Sequence, residues 1–299
     1  MSTIEQASKR LEQLKQAGVE VPWSGQPQSG FPGGAQPVAL AGPLQDLASR
    51  PRPLAEPLHR VDIPLAALAG EGYLVPGAAR SRLMDEFRAI KRPLLANAVG
   101  DKTHEPVAGG NVIMITSSLP GEGKTFLSIN LAMSLAMSPH LRVLLIDADP
   151  TRREATQRLG IGVERPGLID LLCDPELDSA EVELATNVER LSFIPAGATH
   201  QLATELFGGQ EMRELLDRLA ADPAQRIVII DAPPLLHAAE ARALAPQMGQ
   251  IILAVQAGST PRGSVLQALS LLEECPVVMT VLNQARAPSP SSSYGYYAY

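Results

Sequence analysis

The chain is short of cysteine: Cys173 and Cys275 are the only two in 299 residues. They have neither metal-ligand spacing nor the makings of a disulfide framework, so a reducing, cytoplasmic setting is expected. Histidine is also sparse. The five histidines are scattered and form no His-Glu-x-x-His pair, which argues against a zinc site. Basic charge is in deficit, with 25 Lys and Arg against 32 Asp and Glu and a formal net charge of −7. A mainly electrostatic nucleic-acid binder would be basic, so no nucleic-acid partner is expected. No apolar run approaches the roughly 18 residues of a membrane-spanning helix. The N-terminus lacks the basic start and apolar core of a secretion signal, so membrane association is expected only through a partner. Aromatics make up 4% of the composition, which makes their placement informative. Four of the five tyrosines, Tyr294, Tyr296, Tyr297 and Tyr299, fall in the last six residues.

Apolar surface is plentiful, at 45% of residues, and the length suits one α/β domain of about 200 residues with appended segments. Residues 1–20 form the first of these segments. Ser2-Thr3-Ile4-Glu5 is a capping-box pattern, and Ile4, Ala7, Leu11 and Leu14 recur at helical spacing up to a stop at Gly18. A marginal helix on a flexible arm and a docking helix for a partner both suit this pattern. Residues 21–78 read as a linker, because eight prolines and five glycines between Pro22 and Pro57 leave too little apolar surface to offset ordering. The stretch from Leu58 to Leu74 is mixed in character and is not decided by pattern.

The main domain is placed at residues 79–285. A helix begins near Ser81 with Leu83, Phe87, Ile90 and Leu94 on one face, and Pro93 is expected to bend or end it. Six short, β-branched-rich runs follow, separated by helical stretches: Val112–Thr116, Val143–Ile146, Leu191–Ile194, Ile227–Ile230, Ile251–Val255 and Val277–Leu282. Continuous apolar strands of this kind are covered on both faces, which predicts an α/β fold with a doubly wound, mostly parallel sheet. Residues 286–299, with Pro288, Pro290 and a serine run ahead of the tyrosines, read as a disordered tail.

Phosphate chemistry is written at three strand ends. Pro120-Gly121-Glu122-Gly123-Lys124-Thr125-Phe126 follows the first strong strand and opens a helical run, Phe126–Met137. Such a loop points backbone N–H groups and a helix N-terminus at phosphates, as in a P-loop NTPase. Lys124 is expected to reach the β- and γ-phosphates of ATP, and the Thr125 hydroxyl to ligate Mg²⁺. Ser118 stands where the motif has its first glycine. Asp147 and Asp149 end the second strand, and Asp231, before Pro233-Pro234, ends another. Ligands of open α/β sheets bind along this edge, where carboxylates hold Mg²⁺ or take a proton from an attacking hydroxyl. The bland alternative is that these aspartates cap helices. Arg152, Arg153 and Arg158 are either partners of the transferred phosphate or a solvated helix face. Asn283 is either a contact to the adenine edge or ordinary turn chemistry.

The segments Ser117–Thr125, Leu145–Asp149 and Ile229–Pro234, with the terminal tyrosine cluster, resemble the bacterial tyrosine kinases. Phe193–Gly197 and Glu205-Leu206 are also similar to that family, and the likeness covers about residues 81–299. The arm at residues 4–14 resembles the autokinases found with exosortase-type exopolysaccharide systems. The resemblance implies a P-loop kinase using ATP and Mg²⁺, with Lys124, Asp147, Asp149 and Asp231 catalytic. Thr125, Asp147 and Asp231 would be at the metal, Asp149 would be the base, and Tyr294, Tyr296, Tyr297 and Tyr299 would be acceptors. It also implies a homo-oligomer phosphorylating in trans, a membrane polysaccharide co-polymerase or chain-length-determinant protein as activator, and an opposing phosphotyrosine phosphatase. The expected location is cytoplasmic, peripheral at the inner membrane. The family's ring-forming Glu-x-x-Arg-x-x-Arg helix falls here on Asp85, Arg88 and Lys91, where a Lys does not reproduce a bidentate Arg contact. Partition and division-site ATPases share this fold and act as nucleotide-switched scaffolds, but they carry an early loop lysine where this chain has Leu119.

Overall fold

The computed structural model describes residues 56–100, 105–222 and 226–285. The N-terminal helix, most of the linker and the tyrosine tail expected from the sequence lie outside them. Eight strands are seen among the described residues: β1 His59–Val61, β2 Val112–Ser117, β3 Arg142–Asp147, β4 Leu184–Thr186, β5 Leu191–Ile194, β6 Arg226–Asp231, β7 Gln250–Gln256 and β8 Val278–Asn283. They form one sheet in the order β1-β4-β5-β3-β6-β2-β7-β8. All neighbouring pairs are parallel except β4 with β5. The six expected strands are present to within a residue or two. β1 and β4, three residues each, are too short for a periodic signal.

Alternation along the central strands feeds two apolar layers. Ile113, Ile115, Val143, Leu145, Ile227 and Ile229 pack with the helices Arg82–Val99 and Lys124–Ala136. Met114, Leu144, Ile146, Val228 and Ile230 pack on the other side with Phe207, Leu215 and Leu244. Every residue of β2 and β6 is buried, as required of strands covered on both faces. The fold is the doubly wound, mostly parallel α/β sheet with helices on both faces.

Two expectations change. Residues 59–75 are built into the fold, so the linker ends earlier than residue 78. Ile63, Leu68, Tyr73 and Leu74 are buried, and the Asn187 side chain both accepts from Ile63 N (3.0 Å) and donates to Ile63 O (3.1 Å). Burying Leu68 and Leu74 contributes about 1.5–3 kcal/mol each, which offsets ordering of a segment that shows no period of its own. The second is at Pro93, expected to bend or end the helix: the helix Arg82–Val99 does not end there. Leu94 and Ala98 are fully packed beyond it, and this burial outweighs the backbone bond that proline removes. Ser81 caps the start by accepting from Met84 N, and Gly100 at φ 79° ends the helix.

Candidate active site

The register of the sheet assembles the site. Asp147 of β3 lies opposite Asp231 of β6, and Asp231 lies opposite Ile115 of β2, two residues before the phosphate loop begins. Three chemical elements far apart in sequence thus meet at the carboxyl edge of adjacent parallel strands. Gly121 and Gly123 both adopt φ 87°, the left-handed conformation that glycine takes without strain. A Cβ on Gly123 would also collide with the Asn283 amide nitrogen.

The loop is tied down from several directions. Glu122 accepts from Leu119 N (2.8 Å) and from the Thr260 hydroxyl beyond β7. At the end of β8, Asn283 donates to Glu122 O (2.9 Å) and Gln284 to Gly121 O (3.1 Å). Pairing of Asn283 with Gln256 sets its amide beside the loop, which it holds through Glu122 O. Asn283 still lines the cavity. Ser118, in the place of the first glycine, is fully buried and its hydroxyl has no hydrogen-bond partner.

The helix Lys124–Ala136 is buried at every residue except Phe126, so its polar side chains all need partners. Thr125 donates to Asp231 (2.7 Å), and Ser128 donates to its other oxygen (2.9 Å). Lys124 Nζ donates to Thr125 Oγ1 (3.1 Å) and stands 3.6 Å from Asp149, 3.9 Å from Glu154 and 4.0 Å from Asp231. Burial pulls the Lys124 ammonium down, but Asp231, Asp149, Glu154 and Asp147 together hold it above its ordinary value. Burial, then the Asp231 charge, pushes the Asp147 carboxyl up to about 7 against hydrogen bonds from Thr156 and the Asp149 amide. Asp231 is raised as well, chiefly by burial, with Lys124, Thr125 and Ser128 opposing.

Asp149 is arranged differently. It is 2% exposed, and one oxygen accepts from Arg152 N (3.0 Å). The other oxygen, Oδ2, is buried without a hydrogen-bond partner. Both oxygens of Asp147 and both of Asp231 accept from protein donors, whereas Asp149 Oδ2 has only the Lys124 ammonium, at 3.6 Å. Among the described residues no three His, Cys, Asp or Glu side chains gather into a metal-holding group. Mg²⁺ is commonly held by one or two carboxylates, with phosphate oxygens and water completing its shell. Thr125 Oγ1, Asp147 and Asp231, the groups expected at the metal, lie together at this edge of the sheet.

Beside these groups lies a cavity of about 500 Å³ lined by Gly121, Lys124, Thr125, Phe126 and Asn283. Arg152 and Arg158, two of the three arginines weighed as phosphate partners, also line it, whereas Glu71 and Tyr73 from the upstream segment and Glu154 were not read from sequence. Tyr73 lies with its ring centre 5.0 Å from that of Phe126, and Leu74 N donates to Asn130 (2.7 Å). Arg158 pairs with Glu71 (2.9 Å) and Arg153 turns to the Pro150 and Val163 carbonyls, whereas Arg152 lines the cavity. A second cavity, of about 250 Å³, is lined by Asp149, Pro120 and Arg152 together with residues following β6.

A sequence profile described as an AAA domain matches residues 110–273, more than half of the chain. The tyrosine-protein kinase YwqD of Bacillus subtilis is 32% identical over 187 residues, covering 62% of this chain and 76% of YwqD. The chain belongs to the bacterial tyrosine kinase family. EpsB of Ralstonia solanacearum is 32% identical over 198 residues, 64% of this chain, and the chain spans only 26% of EpsB. Among solved structures, the VpsO kinase domain matches with a TM-score of 0.56 and 28% identity, over 69% of this chain and 97% of that one. The bacterial tyrosine kinase fold thus accounts for the P-loop and the two strand ends that carry the three aspartates. On the helix aligned with the family's ring-forming motif, Asp85 pairs with Arg80 and Arg88 on the exposed face. Lys91 instead turns inward to Ser134 O (2.9 Å) and Ser138 (3.0 Å). Burial, then Arg88, lowers the Lys91 ammonium.

Proposed function

We propose that the protein is an ATP-dependent protein-tyrosine autokinase whose acceptors are Tyr294, Tyr296, Tyr297 and Tyr299 of a neighbouring copy. The observation that carries the reading is Asp149. Its Oδ2 is buried without a hydrogen-bond partner and faces the Lys124 ammonium at 3.6 Å, which places it beside the loop lysine to receive the acceptor's proton. A phenol holds its proton with a pKa of about 10, so at neutral pH a carboxylate must orient it and accept the proton as bonding develops. In the step, the phenolic O–H bond breaks toward Asp149 and the oxygen bonds the terminal phosphorus. The bond from that phosphorus to the bridging oxygen breaks, and ADP leaves with its charge held by the loop N–H groups and Lys124. Lys124 keeps its proton throughout, since the surrounding carboxylates raise its pKa. Mg²⁺, when bound with the nucleotide, supplies neutralisation of phosphate charge. Thr125 and Asp231 would hold it, and Asp147 would add negative charge beside Asp231.

The remaining parts of the reading rest on the family and on the likeness of the N-terminal arm. The kinase regulates exopolysaccharide synthesis or export as a homo-oligomer. It sits in the cytoplasm at the inner membrane through a membrane co-polymerase that activates it, and a phosphotyrosine phosphatase reverses its action. The test is incubation of the purified chain with Mg²⁺-ATP followed by phosphosite mapping. Phosphate is expected at the tail tyrosines and lost in Lys124→Ala, whereas removal of residues 291–299 takes away the acceptors and leaves nucleotide binding. Nucleotide turnover with no modified residue beyond Pro290 would overturn the proposal.

A further inference from the structure

The second cavity shares Arg152 with the nucleotide-sized one, and the loop contributes Gly121 to the first and Pro120 to the second. At about 250 Å³ it falls below the range of about 300–1,000 Å³ typical of small-molecule sites, and suits one side chain better than a cofactor. Its walls are unusual. Pro120, Pro150, Pro233 and Pro234 all line it, with the polar Asp149, Thr151, Arg152, His237 and Glu240 between them. Proline rings give rigid apolar surfaces and bring no N–H that would compete for a ligand's oxygen.

The walls are also preset. Thr116 Oγ1 donates to Pro233 O (2.7 Å), and Leu235 N donates to Ser117 O (2.9 Å). His237 N and Ala238 N both donate to Pro234 O (3.1 and 3.0 Å). The segment after β6 is therefore fastened to the phosphate-loop strand. Among the side chains lining it, the buried polar atom without a hydrogen-bond partner is Asp149 Oδ2, which faces Lys124 Nζ at 3.6 Å.

We propose that this proline-walled cavity seats the acceptor ring, with the phenol hydroxyl on Asp149 Oδ2 and exposed His237 as a positioning residue at the rim. The inference rests on the kinase reading above and adds where the acceptor enters and what selects it. A cavity of one-ring size admits a tyrosine whose neighbours are small, and the tail alternates its tyrosines with Gly295 and Ala298. An aromatic ring is held by apolar area and shape, so selection depends on the walls more than on added charge.

The test uses the full-length chain with its four tail tyrosines changed to Phe, supplied with a peptide of residues 291–299. Ala238→Trp, which fills the cavity, is expected to raise the peptide KM by about tenfold or more, the equivalent of about 1.4 kcal/mol. Its Kd for a fluorescent ATP analogue stays close to that of the parent. His237→Ala is expected to raise the peptide KM by about three- to tenfold with kcat retained, the loss of one modest polar contact, and His237→Gln to restore part of it. If Ala238→Trp uses the peptide normally, or loses peptide and nucleotide together, the acceptor assignment is wrong while the kinase reading stands. If the unsubstituted chain and peptide yield no phosphotyrosine at all, the kinase reading falls, and this inference with it.

Discussion

Lys124→Met separates the electrostatic account of the site from a simple loss of ligand. The Lys124 side chain is 6% exposed, among Asp149 at 4%, Asp231 at 0% and the more exposed Glu154. Removing one partner of a buried ion pair costs about 3–5 kcal/mol, because the opposite charge remains out of water. Glu154 is screened by solvent and adds little. The loss should depend on pH. An unfolded aspartate gives up its proton near 4, whereas burial lets Asp147 keep one to about 7 and raises Asp231 as well. Between these limits the fold binds more protons than the unfolded chain, so stability falls as pH rises. With Lys124 gone, both carboxyls shift further upward. Urea unfolding without nucleotide should therefore find the variant weaker than wild type by about 3–5 kcal/mol at pH 8, and by visibly less at pH 5.5. Equal or greater stability of Lys124→Met at pH 8 would refute the argument.

Asp149→Asn should slow transfer to the tail by about 10²–10⁴-fold, the usual contribution of a general base, with ATP affinity held or tightened, as single-turnover labelling and titration will report. At the opposite end of β6, Arg226 is buried with Glu183 at 2.7 Å. Arg226→Met alone should cost about 3–5 kcal/mol in urea unfolding, and most of this should return in the double variant with Glu183→Leu. Each tail phosphate adds about −1.5 to −2 charge to a segment with no charged side chain after Arg286, beside an acidic body. Native mass measurement should accordingly find smaller assemblies after phosphorylation than before.

Sequence legibility followed the range of the interactions. β2, β3, β5, β6, β7 and β8 were readable because each is a continuous apolar run, and Lys124, Asp147, Asp149 and Asp231 because motif and strand end coincide. β1 escaped because three residues, His59–Val61, have no period and owe their pairing to β4, over 120 residues away. Tyr73 and Glu71 escaped for the same reason: their place in the cavity is set by tertiary docking onto Asn130 and Arg158. One signal was available, since Tyr73 is the single tyrosine outside the tail and is followed by Leu74 and Val75. Asn283 was legible as a polar residue at a strand end. Its partner was not, because the 2.9 Å bond reaches back to Glu122 across the sheet. Pro93 misled because local propensity was weighed without the packing of Leu94.

The fastening of the phosphate loop by Asn283 and Gln284 has a practical corollary for anyone trimming this polypeptide. A shortened version ending at or before residue 282 would discard two clamps on the triphosphate cradle along with the acceptors. Its silence would then be misread as proof that the tail is the sole target. Cuts placed beyond Ala285 preserve both amides and keep the two causes apart.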